Sequence, residues 1–371
     1  MRSIKKKILF GITSLTLGGA ERVLVDISNK LCYKYDITIF SIYDKGELKE
    51  ELNKRVNFIS LYNCKYDELT KIQKIWIPIK ILLFSSLIYK SKIKKDYDIE
   101  ISFLEGPITR LFSTKNSKAR KIAWIHNDIE KVFGTGIKSK IKKIVDQKIY
   151  NKFNDLVFVS NDNMEKFQKI YSEMNSENMH VIYNYINSDL VIRKSKGYIY
   201  FGNVVGKKFV TVCRLVEQKA IDRLIKVHSR LIKNGYLHNF YIIGDGPEKE
   251  NLKELIKKEQ VNDTFKLLGK KENPYPYIKN ADYFCLLSYF EGYGMVLEEA
   301  KILNKNIIIT DTAARECIEG YKNSLILGNS DDEIYNGLLK VIKNENNNFS
   351  DINYNYKNEN NIQKIIDLVG E

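Results

Sequence analysis

The chain has 371 residues, enough for two domains of ordinary size that each bury a core without staples. Its 44% hydrophobic and 29% charged residues exclude wholesale disorder. A formal charge of +14 points to anionic partners (nucleotide, nucleic acid or phospholipid surface), with a uniformly basic solvated surface as the plainer alternative. No zinc-ligand spacing and no aromatic-rich RNA-binding strand is legible, so nucleic acid is not expected as a partner. Cys32, Cys64, Cys213, Cys285 and Cys317 are odd in number, scattered and mostly set in apolar runs. That pattern suits buried thiols in a reducing compartment, and a cytoplasmic protein is expected, with the inner face of the plasma membrane as a peripheral location.

In chain order, basic residues 2–7 precede the moderately apolar residues 8–20, superficially like a signal peptide. Thr13, Ser14 and Thr16 dilute that stretch, and a Gly18-Gly19 turn leads into a helix whose inner face is Val23, Leu24, Ile27 and Leu31. A buried first strand over residues 7–12 is therefore expected. Further strands are expected over residues 37–42, 56–62, 99–104, 121–126, 156–160 and 181–183. Ile137, Ile141, Ile144, Val145 and Ile149 form a helical stripe among them. The apolar run 75–89 contains Pro78 and Lys80 and falls short of the ~20 residues of a spanning helix, so no membrane span is expected. Residues 187–208 lose the rhythm and read as a connection. Strands then resume over residues 209–213, 240–243, 265–268, 283–287 and 307–310, with helices over 222–233, 248–258 and 294–303. Residues 344–361 are Asn-rich and read as a loop, followed by a short helix over 362–369.

Strands alternating with helices imply parallel sheets covered on both faces. The expected fold is α/β, two Rossmann-like domains with parallel sheets facing across a cleft. Their bounds are 1–187 and 188–345, with 346–371 as a tail of loop and helix packing back toward the first domain. Ligands of open α/β sheets bind outside the carboxyl ends of the strands, so chemistry is sought at strand-to-helix turns.

Four turns qualify. Gly18-Gly19-Ala20-Glu21-Arg22 places small residues and helix-start N–H groups where an anion can approach. Arg214-Leu215-Val216-Glu217-Gln218-Lys219 follows the first strand of the second half, and its two cations can clamp a diphosphate or remain solvated surface charges. Gly244-Asp245-Gly246-Pro247-Glu248 is first of all a turn, whose glycines also let backbone lie near a base or phosphate. The run Glu291-Gly292-Tyr293-Gly294-Met295-Val296-Leu297-Glu298-Glu299-Ala300 puts Glu291 at a turn, free to face a cleft, and Glu299 on the following helix. One carboxylate there can contact sugar hydroxyls and the other a ribose, although Glu298 or Glu299 can equally face water.

The E-x7-E run with its E-G-Y-G-M-V-L-E-E-A wording resembles the signature of family 4 retaining glycosyltransferases of GT-B fold. R-L-V-E-Q-K, G-D-G-P-E and the opening G-G-A-E-R stand in that family's order and spacing. The likeness spans nearly the whole chain and thins over residues 43–97 and after 344. It implies that Arg214 and Lys219 bind the donor diphosphate, Glu299 the ribose and Glu291 the transferred sugar. Gly244, Gly292, Tyr293 and Gly294 would line the donor, Gly18 and Gly19 would face its phosphates, and His126 of Trp124-Ile125-His126-Asn127-Asp128 would stand beside the sugar. A lone His after a strand is otherwise a core or capping residue. Departures are Cys213 and Ala220, where the family usually carries Gly, and Tyr183-Asn184-Tyr185, where Asn-Gly is usual.

The resemblance implies transfer with retention from a nucleotide diphosphate sugar, with UDP as the family's prior. The acceptor would be a glycan or lipid-linked saccharide in bacterial capsule or surface polysaccharide assembly. No Asp-x-Asp stands in a suitable position, so no metal and no other cofactor is expected. The basic, apolar stretch 74–95 suggests peripheral contact with an anionic membrane, or else a buried helix with a solvated end. Two other readings stay open: a GT-B nucleotide-sugar epimerase, and a non-enzymatic nucleic-acid- or membrane-binding protein whose charge is its function.

Overall fold

The computed structural model describes residues 5–114, 118–126, 137–202, 204–345, 349 and 359–370. The chain forms two compact units, residues 1–186 with 358–371, and residues 187–357.

In the first unit, seven strands form one sheet in the order β3-β2-β1-β4-β5-β6-β7. They are β1 (Lys7–Ile12), β2 (Asp36–Tyr43), β3 (Asn57–Tyr62), β4 (Ile99–Ser102), β5 (Arg120–Ile125), β6 (Asp155–Phe158) and β7 (Met179–Val181). Every pairing is parallel, which obliges the chain to cross over between strands, and helices such as Gly19–Leu31 and Lys71–Lys92 supply the crossovers. Central strands buried on both faces must be apolar almost throughout, and in β1 Ile8, Leu9, Phe10 and Ile12 are all fully buried.

The most deeply buried charged group of this core, Glu100, is paired. Glu100 on β4 accepts from Lys121 Nζ at 3.1 Å and from the hydroxyl of Tyr89. Lys121 also donates to the carbonyls of Phe112 and Thr114 at 2.6 and 2.7 Å. A buried carboxylate without such partners would cost several kcal/mol, about the penalty for an unpaired interior ion. Because Tyr89 lies on helix Lys71–Lys92, the cluster also fastens that helix to the sheet. The closing helix Glu359–Gly370 belongs to the same unit. Its last carbonyls accept from Lys6 and Arg120, cations placed where a helix C-terminus favours them.

In the second unit, six parallel strands run in the order β10-β9-β8-β11-β12-β13. They are β8 (Lys207–Val212), β9 (His238–Ile243), β10 (Phe265–Gly269), β11 (Tyr283–Leu286), β12 (Asn306–Thr310) and β13 (Ser324–Leu327). Phe209 stacks between Phe240 and Tyr283, centroids 4.8 and 5.0 Å away, and ties the three central strands together. Two histidines are buried beside this stack. His238 Nδ1 donates to the Tyr236 carbonyl at 2.8 Å, so its Nε2 is an acceptor and takes the Nδ1 proton of His228 at 2.8 Å. His228 Nε2 must then accept from the Thr264 hydroxyl at 2.8 Å. Burial holds both rings below the ordinary histidine pKa, so the pair is neutral.

Several sequence expectations need correction. β4 stops at Ser102 rather than 104, because Gly106 turns the chain (φ 91°) into helix Pro107–Phe112. The last strand of the first sheet is 179–181 rather than 181–183. Residues 187–208 are not merely a connection, since the Asn187 side chain accepts from the Leu190 N–H and starts helix Ser188–Lys194. β13 and helix Asp331–Ile342 went unrecognised, although Ser330 and Glu333 form a capping box that announces the helix. Ile144 and Val145 are exposed and do not belong to an inner stripe, whereas Ile149 is buried. The side chains of Ile137 and Ile141, and residues Asn127 and Asp128, lie outside the described residues. Finally, the apolar run 75–89 sits inside a 22-residue helix that is long and apolar enough to cross a membrane by length and composition.

Candidate functional site

The second unit's sheet reverses its strand order between β8 and β11, which are hydrogen-bonded neighbours. The chain leaving β8 turns toward β9 and the chain leaving β11 toward β12, so the two exits part and leave a crevice at the carboxyl edge. The R-L-V-E-Q-K turn follows β8 and the E-G-Y-G turn follows β11. Topology thus brings two motifs distant in sequence to one place.

Three bonds stitch them together. The Tyr289 N–H donates to the Gln218 carbonyl at 3.0 Å, and Gln218 Nε2 donates to the Phe290 carbonyl at 3.0 Å. Between them Lys219 Nζ meets Glu291 Oε1 at 2.5 Å, and Ser288 Oγ donates to the same oxygen at 2.5 Å. Glu291 is only 7% exposed, so it is not the free turn carboxylate expected from sequence. The Lys219 ammonium and the Ser288 hydroxyl both face this enclosed carboxylate and offset the cost of burying it. Arg214 is exposed, and its guanidinium makes no bond to a described residue. Its donors are available at the same turn as Lys219.

Ala220 closes this turn in the left-handed region, φ 51° and ψ 35°. That conformation favours glycine, and Ala220, which carries a Cβ, adopts it at some cost in strain. The G-D-G-P-E turn after β9 packs directly on the Arg214 turn: the Leu215 N–H donates to the Asp245 carbonyl at 3.0 Å, and the Glu248 N–H to the Leu215 carbonyl at 3.1 Å. A Cβ on Gly244 would lie 1.8 Å from the Cys213 carbonyl oxygen, at φ +145°. The missing side chain of Gly244 therefore makes room for this protein's own backbone. Its neighbour Cys213 is a partly buried thiol whose pKa desolvation pushes up to about 12, so it stays protonated.

Gly294 caps helix Met295–Ile302. Glu299, on its second turn, is half-buried and accepts from the Tyr275 hydroxyl at 3.0 Å. Glu298 does not face water, as the sequence allowed, but is buried. Tyr293 points its hydroxyl at Glu298, 2.6 Å away. Gly292 lies in the turn between Glu291 and Tyr293. Sequence reasoning missed the groups that hold these residues. Arg223 donates to the Leu287 and Asn329 carbonyls at 2.8 and 2.9 Å and lies over the Tyr289 ring, and Thr310 donates to the Ser288 carbonyl at 2.7 Å. An Arg on an otherwise apolar helix stripe was the available signal.

The first unit has its own reversal, between β1 and β4. Gly18 caps helix Gly19–Leu31 just after β1, and Arg22 of that turn pairs with Glu51. After β5, His126 donates its N–H to Glu105 Oε1 at 2.7 Å and accepts from Asn163 Nδ2 on its carbonyl at 3.3 Å. Its ring packs against Phe103, centroids 4.8 Å apart, and its buried Nε2 has no hydrogen-bond partner among the described residues. Burial pushes the imidazole pKa down to about 3, so the ring is neutral and can donate or accept a hydrogen bond but carries no charge. Among the described residues, no group of three or more His, Cys, Asp or Glu side chains is placed to hold a metal ion.

Comparison with known proteins points the same way as the geometry. Residues 203–359 match the family model described as glycosyl transferases group 1. A relative from Campylobacter jejuni, N-acetylgalactosamine-N,N'-diacetylbacillosaminyl-diphospho-undecaprenol 4-alpha-N-acetylgalactosaminyltransferase, is 26% identical over 93% of this chain and 88% of its own length. The O-antigen biosynthesis glycosyltransferase WclY of Escherichia coli is 24% identical over 80% of this chain and 78% of its own. Among solved structures, Anabaena HepE in complex with UDP and glucose superimposes with a TM-score of 0.76 at 16% identity, covering 99% of this chain and 100% of that one.

Proposed function

We propose that this chain, whose residues 203–359 match the glycosyl transferases group 1 and whose fold is GT-B, belongs to that group and catalyses a specific reaction: transfer of a sugar, with retention, from a UDP-sugar to a lipid-linked glycan in surface polysaccharide assembly. The observation that carries the reading is the meeting of Lys219 and Glu291 where β8 and β11 part. A cation for a diphosphate and a carboxylate for sugar hydroxyls are side by side, as a nucleotide sugar presents its own groups. UDP is taken from the HepE complex, and the lipid-linked acceptor from the undecaprenol substrate named for the Campylobacter relative. Retention rests on the likeness of residues 291–300 to retaining enzymes.

In this reading Arg214 and Lys219 hold the diphosphate. When the bond to the anomeric carbon breaks, its electron pair leaves on a phosphate oxygen, and the two cations stabilise that charge without a divalent metal. Glu291 receives sugar hydroxyls, and Lys219 then shares its protons between phosphate and Glu291. Glu299 takes the ribose, with the Gly292–Gly294 turn and Gly244 lining the donor. In the first unit, His126 is a neutral hydrogen-bond partner and the Gly18-Gly19 turn a place for an anion.

Contact with an anionic membrane belongs to the same proposal. Helix Lys71–Lys92 buries Ile77, Ile81 and Ile88 and exposes Ile72, Ile75, Trp76, Ile79, Leu82, Leu83, Phe84 and Leu87, with a break in its helical geometry at Phe84. So many exposed apolar side chains are more than a helix facing water carries. Seven lysines and no carboxylate occur over residues 71–95. Apolar side chains flanked by unopposed cations suit a surface of anionic lipid headgroups. With its inner face buried and Tyr89 bonded to Glu100, the helix lies on that surface rather than crossing it.

The deciding experiment incubates the protein with UDP-, GDP- and ADP-sugars and a polyprenyl-diphosphate-linked saccharide, with and without EDTA. Transfer from one UDP-sugar, insensitive to chelator and giving a product of unchanged anomeric configuration by NMR, is expected. Turnover of the nucleotide sugar without acceptor would favour an epimerase, and an inverted product would end the retaining assignment.

A further inference from the structure

Behind the glycine-bracketed turn lies a polar cluster of which only Tyr293 belongs to the donor lining proposed above. Glu298 and Lys301, 4% and 6% exposed, face each other across one helical turn with Oε1 and Nζ 3.1 Å apart. The same carboxylate oxygen accepts from the Tyr293 hydroxyl at 2.6 Å and from the Cys317 thiol at 3.2 Å. Lys301 also donates to the Cys317 carbonyl at 2.6 Å. The Cys317 thiol, held protonated by burial, lies 3.6 Å from the Gly294 carbonyl.

A buried ion pair is a poor way to stabilise a helix against its neighbours. Apolar residues of similar volume are commonly neutral or better, because removing two charges from water cancels most of their attraction. What the pair does supply is geometry, since a charge in the interior tolerates one arrangement of partners and few others. The partner singled out here is Tyr293, midway between Glu291 in the turn and the helix that carries Glu299.

We infer that Glu298, held by Lys301, is a positioning residue of the donor site. Through the Tyr293 hydroxyl it fixes the path of residues 291–294, and with it the spacing of Glu291 from Glu299. A ligand that needs one carboxylate at its sugar and another at its ribose depends on that spacing, and misplacement by an ångström is enough to slow transfer. The inference rests on the proposed donor role of this turn.

The test is the double variant Glu298→Leu/Lys301→Met, which removes both charges at similar volume, beside Tyr293→Phe and Glu298→Gln. Thermal melts and donor kinetics are measured for each. The double variant is expected to melt within a few degrees of the parent yet lose about tenfold or more in kcat/KM for the donor. Tyr293→Phe should lose a similar factor, and adding it to the double variant should cost little more, because both break one link. Glu298→Gln, whose amide oxygen still accepts from Tyr293, should keep most activity. Wild-type kcat and KM in the double variant, or in Tyr293→Phe if the double variant does not fold, would overturn the inference. So would losses that multiply independently. A parent protein that turns over no nucleotide sugar would instead defeat the donor assignment itself.

Discussion

Lys219 and Glu291 stand 72 positions apart in the chain, and their side chains meet at 2.5 Å. The contact is made by sheet order alone: β8 and β11 are neighbours, so the turns that follow them are too. Lys219→Ala and Arg214→Ala should each lower donor turnover by about 10²–10³, the cost of removing one group aimed at developing charge. Arg214→Ala should melt near the parent, whereas Lys219→Ala, which leaves the enclosed Glu291 without its cation, should melt lower. Glu291→Gln should reduce kcat far more than it weakens UDP binding measured by calorimetry. Parental turnover in both cation variants, or equal losses of turnover and UDP affinity in Glu291→Gln, would contradict the assignment.

Stability should fall on mild acidification because of His228 and His238. Burial lowers both pKa values, so in the folded protein neither ring takes a proton where the unfolded chain, near pH 6.5, does. Below that pH the unfolded state binds more protons, and unfolding free energy drops by up to about 1.4 kcal/mol per pH unit for each ring. Urea midpoints measured from pH 7.5 to 5.0 should shift downward, and a His228→Gln/His238→Gln variant should show a shallower slope. An unchanged slope would show that the pair is not the source.

The close approach at Gly244 predicts a severe variant. Alanine there would place Cβ 1.8 Å from the Cys213 oxygen at φ +145°, so Gly244→Ala should cost about 2–4 kcal/mol or prevent folding. Gly235 has a positive φ of 84° but open space around it, and Gly235→Ala should cost only about 1 kcal/mol. Chemical denaturation of the two variants makes the comparison, and equal losses would show that the contact with Cys213 is not what requires glycine.

Trp76, exposed on helix Lys71–Lys92, reports membrane contact directly. Its fluorescence should shift to the blue with vesicles containing phosphatidylglycerol, and the shift should weaken as salt is raised. Trp76 itself must stay, so Leu83→Glu/Leu87→Glu should abolish co-sedimentation while transfer to a water-soluble acceptor persists. No spectral change and no co-sedimentation at low salt would remove the membrane from the proposal.

Much of the architecture could be read from the chain, because runs such as Ile307-Ile308-Ile309 are apolar without alternation, as strands buried on both faces must be. Where the reading failed, a local bond had overridden it. Asn187 starts a helix inside an apparent linker, and Gly106 cuts β4 short. For the candidate site, the motifs and their order lay in the sequence: Arg214 with Lys219, Glu291 with Glu299, and the Gly18-Gly19 turn. Their chemistry follows from residue type alone, since a guanidinium, an ammonium or a carboxylate is the same wherever it lies. Burial and partnership depend on which strands are neighbours, and no local pattern encodes that. Only the tertiary structure decided that Glu291 is enclosed between Lys219 and Ser288, that His126 is neutral, and that Glu298 turns inward while Glu299 stays half-exposed. Glu291 and Glu298 balance desolvation against the partners the fold brings to them, and desolvation alone holds His126 neutral.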